Sequence, residues 1–125
     1  MGNKIEIFRP EKQEDWNLFE LKPSDACYQT ASDLASYTEI LRANSLYIRH
    51  IEIYENNYSL EALSVLINSI SNCPIVISLT LSSVTRSLDE SSAIDFFSEL
   101  NDRLEESFKE LQCLELVHNL SLIHI

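Results

Sequence analysis

The sequence predicts an α/β repeat solenoid, strand then helix, in which neighbouring units stack to bury faces that no unit could bury alone. Three observations carry this expectation. Four stretches share one spacing of apolar residues followed by a turn. The segments between them carry apolar residues at helical spacing. The only glycine of the 125 residues is Gly2, so a phosphate-cradling loop, a dinucleotide-binding fingerprint and a nucleophile elbow are excluded in their usual form.

Residues 1–15 are expected to form an N-terminal cap segment, with Ile5-Glu6-Ile7 as a short strand ahead of a charged loop. The first unit then reads Trp16-x-x-Phe19-x-Leu21-x-x-Ser24, and its helix is expected to open at Ser24 and carry Cys27, Ala31, Leu34, Thr38 and Leu41 on one face. The second reads Ile48-x-x-Ile51-x-Ile53-x-x-Asn56, followed by a helix capped by Ser59 with Leu60, Leu63, Leu66, Ile67 and Ile70 inward. The third reads Val76-x-x-Leu79-x-Leu81-x-x-Val84, preceded by the wholly apolar run Ile75-Val76-Ile77. Its helix is expected to open near Ser91 or Ser92, with Phe97, Leu100, Leu104, Phe108 and Leu111 on one face and Asp95, Glu99, Asp102, Glu105 and Glu106 as a solvated stripe. The fourth reads Leu111-x-x-Leu114-x-Leu116-x-x-Asn119. Inside each stretch the middle pair alternates apolar, variable, apolar, the period of a short strand with one buried face. The equivalent residues Phe19, Ile51, Leu79 and Leu114 are separated by 32, 28 and 35 residues. The longer third unit is absorbed by its helix and by the Ser-rich loop over residues 82–92.

The pattern Leu-x-x-Leu-x-Leu-x-x-Asn resembles the strand and turn of leucine-rich repeats, and units near 28 residues with a full helix resemble the ribonuclease-inhibitor-like αβ subclass. The resemblance covers residues 16–119, about three to four repeats, and reads as the N-terminal fragment of such a protein. Ile48 to Asn56 and Leu111 to Asn119 match well, whereas Val84 and Ser24 stand where the family has asparagine. The resemblance implies short parallel strands on a concave side and helices on a convex side. It also implies an asparagine side chain bonded to the backbone of the turn, so the first and third units should be looser there. Leu120-Ser121-Leu122-Ile123-His124-Ile125 follows neither helix nor turn logic and equals the translation of a transposon-end sequencing adapter. Residues 120–125 are therefore read as a non-biological, adapter-derived tail.

Twenty acidic against nine basic residues give a net charge of -11, which repels phosphate backbones and anionic lipid, so neither nucleic acid nor membrane is an expected partner. No apolar run approaches membrane-spanning length, and the first residues lack a signal-peptide core. A cytoplasmic or otherwise intracellular chain is expected, and the Asn57-Tyr58-Ser59 sequon is then accidental. Cys27, Cys73 and Cys113 are odd in number and set among apolar residues, which reads as free buried thiols. His50, His118 and Cys113 could be drawn together as a nucleophile and base, but a solvent-facing histidine beside a half-buried cysteine is the plainer reading. No Cys or His pair has zinc-site spacing, and Asp89-Glu90 and Glu105-Glu106 read as solvated charges. No catalytic residue, metal ligand or cofactor is assigned, and the chain is not expected to be an enzyme.

In the repeat register, the variable residue between the paired apolar positions points out of the sheet, giving the column Glu20, Glu52, Thr80 and Glu115. The next column is Lys22, Tyr54, Ser82 and Val117. Acidic residues are common on exposed strands of so acidic a chain, yet three carboxylates beside an aromatic anchor suit a basic protein or peptide. The expected function is a protein-interaction module that binds its partner on the strand face through Glu20, Glu52, Tyr54, Thr80, Ser82 and Glu115. The alternative is a small doubly wound α/β domain with a regulatory or enzymatic role, whose site at the strand ends would include Asn56, Ser83 and His118. It requires a reversal of strand order and helices on both faces.

Overall fold

A computed structural model of the chain describes residues 5–7, 9–23 and 28–117. Four strands alternate with three helices: β1 (Leu18–Leu21), α1 (Ala35–Ala43), β2 (His50–Ile53), α2 (Leu60–Ile70), β3 (Ser78–Ser82), α3 (Glu90–Glu106) and β4 (Cys113–Val117). The strands form one parallel sheet in chain order, β1-β2-β3-β4. The order reversal that a doubly wound domain needs is absent among the described strands.

Register follows the apolar pattern. Phe19 pairs with Ile51, Ile51 with Leu79, and Leu79 with Leu114; Leu21, Ile53, Leu81 and Leu116 form the second matched row. In the first three strands these two rows are fully buried, while the residues between them stay half-exposed. A slip of one residue would turn Phe19, Ile51 and Leu79 out to solvent, so burial of one face specifies the register. The buried parity of the strands packs with Leu34, Tyr37 and Leu41 from the first connection, with Leu63, Leu66, Ile67 and Ile70 from the second, and with Phe96 and Leu100 from the third, in one continuous core. Neighbouring helices touch, α1 against α2 and α2 against α3. The Ser64 hydroxyl of α2 also donates to Glu99 Oε1 of α3 at 2.9 Å.

The helix starts follow capping chemistry more closely than apolar spacing. Ser59 accepts from the Ala62 N–H at 3.0 Å, as expected. The third helix is capped by Asp89, whose carboxylate accepts from the Ser92 N–H at 2.8 Å, and not by Ser91 or Ser92. A carboxylate at this position also meets the positive end of the helix dipole. The hydrogen bond holds the Asp89 carboxyl below its ordinary range. The inward face of α3 is Ala93, Phe96 and Leu100, with Phe97 half-buried and edge-to-face on Phe96 at a centroid distance of 5.1 Å. Because α3 ends at Glu106, Phe108 and Leu111 reach the core from the turn that follows and not from the helix face. The first helix is shorter than expected and begins only at Ala35. Ahead of it, Thr30 and Asp33 close a turn on each other, with the Thr30 hydroxyl 3.0 Å from Asp33 Oδ2. Local side-chain bonds of this kind compete with the helix. Ser24 and Cys27 lie outside the described residues.

Residues 5–7 do not form the expected strand. Ile5 is buried, its N–H donates to the Tyr37 hydroxyl at 2.7 Å and its C=O accepts from the same hydroxyl at 2.8 Å. The Lys22 N–H donates to the Glu6 C=O at 3.2 Å. A tyrosine that takes both backbone groups of Ile5 leaves this segment pinned without a ladder.

Candidate binding face

The half-exposed parity of the sheet carries the residues singled out for binding. Glu20 pairs with Glu52, Glu52 with Thr80, and Thr80 with Glu115, so the expected column exists as one row across four strands. At a strand spacing of about 4.8 Å the row spans about 14 Å. The Thr80 hydroxyl donates to Glu115 Oε1 at 3.2 Å. In the next row the Tyr54 N–H donates to the Leu21 C=O at 3.0 Å just past β2, Ser82 pairs with Val117, and the Ser83 N–H donates to the Val117 C=O at 2.9 Å.

Tyr54 ties the two rows together. Its hydroxyl donates to Glu52 Oε1 at 2.9 Å. That bond, partial burial, and the charges of Glu52, Glu20 and Glu115 together raise its pKa above the ordinary tyrosine value. Three carboxylates on three different strands thus act on one phenol, and their field is a property of the assembled sheet. A third row holds Leu18, His50, Ser78 and Cys113 in register. His50 Nδ1 lies 2.7 Å from the Ser78 hydroxyl.

Several expectations for individual residues need correction. Cys113 is exposed, because it sits on the open parity of the outermost strand, whereas Cys73 is buried. Burial pushes the Cys73 thiol up to about 11. Asn56, offered as a site residue of the doubly wound alternative, is buried, and its amide donates to the Lys22 C=O (3.1 Å), the Tyr54 C=O (3.3 Å) and the Tyr58 hydroxyl (3.1 Å). It serves the turn. At the corresponding place in the third unit Val84 is buried, and the neighbouring Thr85 hydroxyl is buried with no hydrogen-bond partner among the described residues. Ser83 adopts a left-handed φ of 57°. His118 and residues 120–125 lie outside the described residues.

The sequence did not reveal the links that brace this turn region. Glu55 pairs with Arg86, and Ser87 donates to Asn57 Oδ1 at 3.0 Å, so the loop after β3 is tied to the loop after β2. A bridge between Gln29 and Tyr58 joins the first two units in the same way. These partners lie about 30 residues apart, and opposite charge in two loops is too common a signal to pick them out. A cavity of about 680 Å³ near the N-terminus, bounded by Ile5, Arg9, Asp33 and Tyr37, is lined by residues separate from the open face. Among the described residues no group of three or more His, Cys, Asp or Glu could hold a metal ion, and no helix is long and apolar enough to cross a membrane. No family model, curated protein or solved structure matches the chain.

Proposed function

We propose that the chain is a leucine-rich-repeat solenoid that acts as a protein-interaction module and binds a basic protein or peptide across the open strand face. The observation that carries this reading is the register-matched row Glu20, Glu52, Thr80 and Glu115 beside the Tyr54 ring. A row of like charges held at strand spacing steers a cationic partner, and an aromatic ring beside it offers an anchor. The array reading is supported by strands in chain order, by repetition of the same two buried rows, and by the Asn56 amide bonded to turn backbone. Strand order likewise speaks against the doubly wound alternative. An intracellular setting belongs to the same reading.

Titration of the whole chain with a lysine- and arginine-rich peptide, followed by calorimetry at low and at physiological salt, tests the proposal. Glu52→Lys is expected to weaken binding about tenfold and to flatten its salt dependence. Equal affinity of the Glu52→Lys and Tyr54→Ala variants with the unaltered chain would overturn it.

A further inference from the structure

The loop after β3 is tied back to the loop after β2 by two links between the second and third units. Arg86 pairs with Glu55, and the Ser87 hydroxyl donates to Asn57 Oδ1 at 3.0 Å. Arg86 and Ser87 are both exposed. Ser87 lies in a turn outside any helix, and two carboxylates follow it, Asp89 at the second position and Glu90 at the third. The cation beside it, Arg86, is taken up by Glu55. Other serines three residues ahead of a carboxylate are set differently. Ser36 and Ser92 lie inside α1 and α3, where the helical ladder holds the backbone, and Ser107 has Lys109 between it and Glu110. An exposed hydroxyl in a turn, with carboxylates just C-terminal to it, suits a protein kinase whose substrate cleft is cationic.

We propose that Ser87 is a phosphorylation site for an acid-directed serine kinase, and that its phosphate releases the brace between the second and third units. The Ser87 Oγ attacks the γ-phosphorus of ATP. An O–P bond forms as the bond to the β-phosphate oxygen breaks, ADP leaves, and the hydroxyl proton passes to a base of the kinase. The product carries about −1.5 to −2 charges at neutral pH where the hydroxyl carried none. An ester oxygen has no proton to give, so the bond to Asn57 Oδ1 is lost. The phosphate, next to Arg86 in the chain, competes with Glu55 for the guanidinium, which phosphate oxygens bind in bidentate fashion. Both links therefore go together. The start of α3 is spared, because the phosphate lies two residues before the Asp89 cap, at the positive end of the helix dipole. Glu55 and Asn57 lie just past Tyr54, so the released segment borders the open strand face. The inference does not rest on any partner for that face.

Incubation of the whole folded chain with an acid-directed serine kinase and ATP, with the product mapped by fragmentation mass spectrometry, tests the site. Phosphate is expected on Ser87, and its incorporation there should be about tenfold slower in Glu90→Gln. The assignment fails if Ser87 stays unmodified, if Glu90→Gln is modified at the same rate, or if Ser87 reacts only in the urea-unfolded chain. Thermal melts then read the brace. Phosphorylation is expected to lower the melting temperature of the unaltered chain by about 4 °C. It should shift the Glu55→Gln/Asn57→Ala variant, in which both links are already gone, by much less. Equal shifts in the two proteins, or none in either, would show that the phosphate does not act through these links and would overturn that half of the proposal.

Discussion

Asn56 and Tyr54 show how differently two residues two positions apart can be used. The Asn56 amide is buried against two carbonyls and a hydroxyl. Asn56→Ala would strand those groups and is expected to lower stability by about 2–4 kcal/mol in urea denaturation. Tyr54 is half-exposed and touches the acidic row, so its substitution should alter titration more than folding. A difference titration of phenolate absorbance against Tyr54→Phe should find the Tyr54 pKa raised, and Glu52→Gln should return it toward the ordinary value near 10. Since the folded state favours the protonated phenol, this contribution to stability is fully present below the unfolded pKa and is lost as pH rises through the folded one. The alternation of Glu20, Glu52 and Glu115 with apolar neighbours was legible in the sequence, because strand period alone assigns them to one face. The bond from Tyr54 to Glu52 was not, because it depends on a rotamer that only the neighbouring strands fix.

At the scale of the element, apolar periodicity located every helix and strand core, and local polar chemistry decided where the helices begin. Ser59→Ala is expected to remove about 1 kcal/mol, whereas Ser91→Ala, two residues past the Asp89 cap, should stay within about 0.5 kcal/mol. Thermal melts followed by far-ultraviolet circular dichroism distinguish the two. The Asp89 cap has the opposite pH sign from Tyr54. Its carboxyl is held below the ordinary value, so its contribution is present above the unfolded pKa and fades as pH falls through the folded one. The sequence favoured Ser91 and Ser92 because serine caps helices well; Asp89 prevails because its carboxylate lies where the Ser92 N–H opens.

Across the whole molecule, equivalent positions are not equivalent in energy. Leu79 and Leu114 pair in register, but the first lies on a strand flanked on both sides and is buried, and the second lies on the last described strand and is exposed. Leu79→Ala is expected to cost about 2–5 kcal/mol, and Leu114→Ala less than about 1 kcal/mol, by urea denaturation. The α/β class, the order of elements, the buried rows Phe19-Ile51-Leu79 and Leu21-Ile53-Leu81, and the membership of the acidic row were all legible in the chain, since they follow from periods of two and near 3.6 residues that any short window displays. The tertiary structure alone shows that Ile5 is pinned by the Tyr37 hydroxyl, that Glu55 meets Arg86, and that Cys113 is exposed while Cys73 is buried. Each of these depends on which distant segment lies alongside, and pairing across about 30 residues leaves no period in the chain for a sequence to display.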